Sequence, residues 1–207
     1  VHGTDAYGND VDNHRTTNGS GEYSFGSVTP GNYTVTEDLQ PGWYQSAPAG
    51  GAHTVTPQSG DTLGGRDFGN YRLATVTGFK YDDLNGNGVR DGGEPGLPGW
   101  TINLDGQPGQ GGPVSTSAVT DGTGRYTFAN VTPGTYQLTE DQQPGWVAKQ
   151  PLSGQHAITP RSGETLGDDE DLNFGNYVRP VIGGTKYEDE DEDGTEDPGD
   201  APLAGWQ

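Results

Sequence analysis

The chain repeats itself, and that restricts its fold more than any other feature of its 207 residues. Val28-Thr29-Pro30-Gly31-Asn32-Tyr33 returns 103 positions later as Val131-Thr132-Pro133-Gly134-Thr135-Tyr136. At the same spacing Thr36-Glu37-Asp38 returns as Thr139-Glu140-Asp141, and Pro41-Gly42-Trp43 as Pro144-Gly145-Trp146. Three residues are inserted in the acidic stretch 167–171, after which the spacing is 106. Phe68-Gly69-Asn70-Tyr71 then matches Phe174-Gly175-Asn176-Tyr177, and Lys80-Tyr81 matches Lys186-Tyr187. Leu97, Gly99 and Trp100 match Leu203, Gly205 and Trp206. One whole unit runs from about 72 to 177, preceded by the back part of a unit (1–71) and followed by the front part of another (178–207). Joined end to start, Trp206-Gln207-Val1-His2 alternates as Trp100-Thr101-Ile102-Asn103 does. The expectation is a head-to-tail polymer: either one period of a longer array, or a subunit whose front part is completed by residues 1–71 of the next copy.

Within a unit, short runs of Val, Thr, Tyr and Ile alternate in polarity between turns rich in Gly, Pro, Asn and Asp. Strands are expected at 75–81, 100–104, 115–120, 125–128, 135–140, 146–149, 156–159 and 172–177. Strands at roughly 8–12-residue spacing without helices predict an all-β chain of tandem β-sandwich repeats. With 37 Gly and 15 Pro, long helices are excluded. Leu, Ile, Val and Phe make up about 15 % of the chain, so the core is thin and must draw on its 10 Tyr and 4 Trp. A net charge of −20 rules out nucleic-acid binding through phosphates, no apolar run is long enough for a membrane-spanning helix, and zero Cys removes disulfides. Something else must hold small domains of this kind together.

Two features could do so. Asp83, Asn85, Asn87, Gly88, Val89, Asp91 and Glu94 stand at positions 1, 3, 5, 6, 7, 9 and 12 of a twelve-residue calcium loop. Ca²⁺ takes six to eight oxygens, and this spacing wraps side-chain oxygens and the Val89 carbonyl around one point. The second copy supplies Asp189, Asp191, Asp193, Thr195, Asp197 and Asp200, with more carboxylates but a shorter Asp at position 12. No helices flank either loop, so Ca²⁺ would staple a β-domain rather than drive a switch. The other feature is a Lys–Glu–Asn set. Lys80, Glu140 and Asn176 each share strand parity with apolar neighbours, as do Lys186, Glu37 and Asn70. A buried charge must be paired or neutralised. A neutral Lys could attack the Asn amide while Glu shuttles protons, leaving a covalent cross-link. The alternative is an ordinary Lys–Glu ion pair beside a turn-forming Asn. His53 and His156 occupy equivalent positions without companion ligands and read as structural.

The run Gly78-Phe79-Lys80-Tyr81-Asp82-Asp83-Leu84-Asn85-Gly86-Asn87-Gly88 resembles the opening of the B-type repeat domains of serine–aspartate-repeat surface proteins. So do Thr120-Asp121-Gly122-Thr123-Gly124-Arg125-Tyr126-Thr127-Phe128 and Phe174-Gly175-Asn176. The stretch from Tyr136 to Trp146 is similar to the glutamate box of collagen-adhesin B-type (Cna-B) pilin domains, although it reads Glu140-Asp141 where pilins usually have Glu-Thr. The resemblance implies transthyretin-like or Ig-like sandwiches of about 100 residues, calcium rigidification and a stalk role outside a microbial cell. It also implies isopeptides Lys80–Asn176 and Lys186–Asn70, with Glu140 and Glu37 as proton shuttles. The expected function is structural, a fibre or surface stalk whose partners are copies of itself. An adhesin that binds a host or matrix ligand is the alternative, and an enzyme is not expected.

Overall fold

The computed structural model describes residues 1–167 and 171–206, and every regular element in them is a β-strand. Most of the acidic run at the three-residue insertion, and the Gln207 end of the expected seam, lie outside the described residues. The back part contributes β1 (His2–Asp5), β2 (Asp10–Asp12), β3 (Gly31–Thr36), β4 (Tyr44–Ala47), β5 (Ala52–Val55) and β6 (Gly69–Tyr71). The whole unit contributes β7 (Ala74–Asp82), β8 (Thr101–Pro108), β9 (Val114–Val119), β10 (Arg125–Val131), β11 (Gly134–Glu140), β12 (Trp146–Gln150), β13 (Gln155–Ile158), β14 (Thr165–Leu166) and β15 (Phe174–Val178). The front part adds only β16 (Tyr187–Glu188) and β17 (Ala201–Pro202).

In the whole unit two sheets face each other, ordered β10-β7-β15-β12 and β13-β11-β8-β9, with β14 also on β7. Alternation along each strand sends one face inward. Val76, Tyr126, Phe128 and Phe174 from the first sheet meet Ile102, Leu104, Tyr136, Leu138 and Ile158 from the second in one buried cluster. Aromatic rings compensate for the few aliphatic side chains: Tyr126 packs at 6.0 Å from Phe128 and 6.1 Å from Phe174. The buried phenols are satisfied, Tyr126 donating to the Leu172 carbonyl (2.6 Å) and Tyr136 to that of Thr132 (2.7 Å).

The organising strand is β7. It pairs antiparallel with β10 on one edge and parallel with β14 and β15 on the other. Gly78 lies where the Tyr126 ring crosses β7; a Cβ there would come within 2.6 Å of the Tyr126 hydroxyl oxygen. Each expected strand of the whole unit forms, but β8 runs on past Gly106 to Pro108, and β10 continues through a bulge between Phe128 and Val131. The two-residue strand β14 has no alternation to announce it.

The back part reproduces one sheet in full: β2-β1-β3-β5 has the order and register of β9-β8-β11-β13. The β4–β6 pair likewise reproduces β12–β15. Residues 1–71 contain no counterpart of β7, and residues 22–28, matching β10, form no strand. In the front part, the run matching β7 also stays out of any sheet before Tyr187. Lys186 and Ile182, expected to face inward, are therefore exposed, because the strands that would cover them are absent from residues 178–206. The register corrects the seam as well. Gly3 sits opposite Tyr33 as Gly106 sits opposite Tyr136, so Val1 stands at the place of Leu104, not Ile102.

Candidate functional site

Strand β7 carries the Lys of the proposed cross-link and delivers the chain into the first acidic loop. Lys80 is fully buried, with its ammonium 3.1 Å from Glu140 Oε2 and 4.3 Å from the centre of the Trp100 ring, and it donates to the Phe174 carbonyl (3.3 Å). Glu140 ends β11 in the facing sheet, and Asn176 lies on β15 immediately beside β7. The structure thus brings Lys80, Glu140 and Asn176 into one closed pocket. Burial pulls the Lys80 ammonium down to about 8, against the opposing pull of Glu140. Burial likewise pushes the Glu140 carboxyl up, with Lys80 opposing. Asn176 has no exposed surface, and neither its amide nitrogen nor its oxygen has a well-aligned hydrogen-bond partner, although Glu140 lies beside it. Trp100 was not singled out for this site from sequence; its signal is that a Trp follows each of Lys80 and Lys186 by 20 residues.

The second set is divided. Asn70 donates to Glu37 Oε2 (2.7 Å) at one end of the back part, and Glu37 Oε1 is buried without a partner. Lys186 is in the front part, over the Trp206 ring at 5.2 Å, and forms no ion pair among the described residues.

The first loop closes on itself through the residues expected to hold a cation. Asp83 is fully buried and accepts from the Asn87 (3.0 Å) and Gly88 (2.7 Å) amides. The side-chain amides of Asn85 and Asn87 donate to Asp91 Oδ2, which holds the Asp91 carboxyl below its usual range. Glu94 accepts from the Asp91 amide through Oε2, while its Oε1 is buried and unpartnered. Val89 is exposed at the loop's rim. The second loop copies the turn: Asp189 accepts from the Asp193 (3.1 Å) and Gly194 (2.9 Å) amides, as Asp83 does. Carboxylate oxygens of Asp189, Asp191 and Asp193 lie within 4.8 Å of one another. Thr195 donates to Asp193, and Asp200 accepts from the amides of Asp197 and Glu190 (both 3.2 Å). The histidines are structural: His53 and His156 each lie 2.9 Å from a backbone carbonyl and pack edge-on against Phe68 and Phe174.

No helix among the described residues is long and apolar enough to cross a membrane. Residues 74–165 match the family model of the SdrD B-like domain. Serine-aspartate repeat-containing protein D of Staphylococcus aureus (strain Newman) is 26 % identical over 208 residues, covering 92 % of this chain and 16 % of that protein. Serine-aspartate repeat-containing protein F of Staphylococcus epidermidis (strain ATCC 12228 / FDA PCI 1200) is 27 % identical over 176 residues, covering 78 % of this chain and 11 % of its own. The chain therefore spans only a small part of these relatives. Among solved structures, the minor pilin GBS52 of Streptococcus agalactiae has a TM-score of 0.38 at 14 % identity, covering 82 % of this chain and 69 % of that one. The major pilin SpaD from Corynebacterium diphtheriae has a TM-score of 0.36 at 19 % identity, covering 52 % and 32 %. At such scores the fold rests on the strand pairing described above, not on the pilins. Residues 74–165 are thus similar to the SdrD B-like domain, in keeping with the motifs they carry.

Proposed function

We propose that this chain is a load-bearing segment of an extracellular stalk or fibre on a microbial surface, a structural part and not an enzyme. The observation that carries the reading is the parallel pairing of β7, the first strand of the whole unit, with β15, its last. Parallel neighbours put the start of one and the end of the other at opposite ends of the sandwich. A pull along the chain then loads the β7–β15 ladder in shear, with its hydrogen bonds strained together rather than one by one. Antibodies against the chain should label shafts along their length on intact cells; label confined to tips would favour the adhesin reading instead.

The loops fit a calcium staple on this stalk. Their donors are hard oxygens, and the orphaned Glu94 Oε1 is a buried acceptor in search of a cation. Asp83, Asn85, Asn87, Asp91, Glu94 and the Val89 carbonyl would hold one ion; Asp189, Asp191, Asp193, Thr195, Asp197 and Asp200 would hold the other. The ion would supply the positive charge that these carboxylates lack.

The buried trio fits an isopeptide. Lys80 Nζ, neutral, would attack Asn176 Cγ; the new C–N bond forms as the Asn176 amide nitrogen leaves as ammonia. Glu140 would take the proton from Nζ and pass it to the leaving nitrogen, so its raised pKa and the lowered one of Lys80 both favour the step. A pH profile separates a bonded Lys80 from a free one. A free Lys80 titrates near 8 in the fold and near ~10.4 unfolded. Between those values the unfolded chain binds more protons, so folding stability rises with pH. Asn176→Ala, which cannot form the bond, should therefore gain stability in denaturant melts from pH 8 towards pH 10, to a degree the unaltered chain does not share. Equal slopes in the two proteins would argue against the bond.

A further inference from the structure

The buried trio has no opening to solvent. Lys80 and Asn176 have no exposed surface, and the Glu140 side chain is 6 % exposed. No outside catalyst can reach them, so whatever controls the proposed cross-link must act through the backbone that carries them. That backbone leads to the first acidic loop from both directions.

Glu94 ends the loop, and the next three residues return along β7. There the Leu97 amide donates to the Lys80 carbonyl (2.8 Å), and the Asp82 amide donates to the Pro95 carbonyl (2.9 Å). The Lys80 amide donates to the Gly124 carbonyl (2.7 Å), so both backbone groups of Lys80 are held. The returning segment has no slack: a Cβ on Gly96 would come within 1.8 Å of the Thr123 carbonyl oxygen. Asp83 begins the loop, and its amide donates to the Asn176 carbonyl (2.8 Å). The loop also rests on β12, where a Cβ on Gly88 would lie 3.4 Å from Lys149 Cγ. In turn β12 pairs with β15, Ala148 standing opposite Asn176. One end of the loop thus holds the attacking residue, and the other end holds the residue attacked.

Those two ends are also the hardest parts of the loop to keep shut. The Asn85 and Asn87 side chains tie the exposed rim to Asp91, but Asp83 and Glu94 are buried carboxylates. Neither forms an ion pair among the described residues, and Glu94 keeps one oxygen unpartnered. Two acids buried in one loop repel, and burial without a counter-charge is costly. Opening the loop to hydrate them lets go of Lys80 at one end and Asn176 at the other. Oxygens closed around a divalent cation remove that cost and keep both ends in place.

We propose that cation capture by the first loop sets Lys80 and Asn176 for their cross-link, with Asp83 and Glu94 as positioning residues that touch neither reacting atom. The proposal rests on the calcium-staple and isopeptide readings and puts them in order, cation first and bond second. The cation is not consumed: Nζ and Cγ join, ammonia leaves, and the loop only holds the backbone. The order runs one way, since chelation after the bond has formed leaves the lost ammonia lost. Cross-linking is thereby deferred to calcium-rich surroundings outside a cell.

The test uses the full 207-residue chain, made by cell-free synthesis in chelator and then transferred to calcium or to fresh chelator while its intact mass is followed. In calcium one ammonia should be lost at least ~100-fold faster than in chelator, the cost of misplacing reacting groups by about 1 Å. Peptide mapping should place the loss at Lys80–Asn176. Binding is measured by calorimetry on Glu140→Ala, which keeps the loop and cannot form the bond. The binding component that moves when Glu94→Ala is added belongs to the first loop, and the reaction rate should share its calcium midpoint. Glu94→Ala should shift rate and binding to higher calcium together, and Glu94→Asp should restore both in part. The comparison in the unaltered chain stands even where Glu94→Ala does not fold. Equal rates in calcium and chelator, or a rate midpoint unrelated to binding, would overturn the proposal and leave the isopeptide reading standing. Calcium binding without any loss of ammonia would overturn it together with the isopeptide reading. Loss of ammonia without calcium binding would overturn it together with the staple.

Discussion

The intact chain should weigh one ammonia less than its sequence for every isopeptide formed, and Asn176→Ala should remove the Lys80 cross-link with a large loss of heat resistance. The direction of the stability change is diagnostic. Without the bond, Asn176→Ala deletes two buried polar atoms that have no aligned partner, a change expected to be neutral or stabilising. With the bond, the substitution opens a covalent loop from Lys80 to Asn176, nearly the whole domain. Closing a loop of about 100 residues is worth ~4.7 kcal/mol in chain entropy, which corresponds to a melting temperature on the order of 20 °C higher. Calorimetry and intact mass together decide the matter: full mass with a melting point unmoved or raised by Asn176→Ala leaves an ion pair. Glu140→Ala should block the reaction while leaving both reacting side chains in place.

Chelation should lower the melting temperature by about 10–20 °C. An ion present at 100 times its Kd stabilises by ~2.7 kcal/mol, and each kcal/mol moves a domain of this size by ~4–8 °C. Glu94→Ala should abolish most of the chelator's effect on the whole unit, because Glu94 supplies the orphaned oxygen beside the buried Asp83. The second loop, with three gathered carboxylates but no Glu at its last position, should differ in affinity. A melting curve indifferent to chelator would refute the staple.

Most of the sandwich was readable because alternation and turn residues act over a few positions. Thr135–Glu140 alternates cleanly and forms β11, and the Asp-Gly and Pro-Gly turns bound the strands where expected. What stayed hidden depends on partners remote in sequence. Residues 22–28 match the pattern of β10, yet form no strand, because a strand is stable only against a neighbour and theirs is absent from residues 1–71. The same absence leaves Ile182 and Lys186 in solvent, where parity alone put them inside. The convergence of Lys80, Glu140 and Asn176 was legible as three inward-facing polar groups; the Trp100 face against the ammonium was not, since nothing local links that ring to Lys80. Val1 was matched to Ile102 rather than to Leu104 because Trp-x-Ile and Trp-x-Val look alike in sequence. The Gly3–Tyr33 pairing, which fixes the register, is visible only in the sheet.

Phe79, on the outer face of β7, is gripped by two guanidinium groups: Arg90 from the first acidic loop at 4.0 Å and Arg125 from the start of β10 at 5.6 Å. The ring thereby bolts the loop to the neighbouring strand. In the front part both the ring and the loop arginine change: Thr185 replaces Phe79 and Glu196 replaces Arg90, leaving one hydrogen bond from Thr185 to Glu196 (2.6 Å). The second loop is thus hinged to its strand by a single polar contact, where the first is clamped by a ring held between two cations.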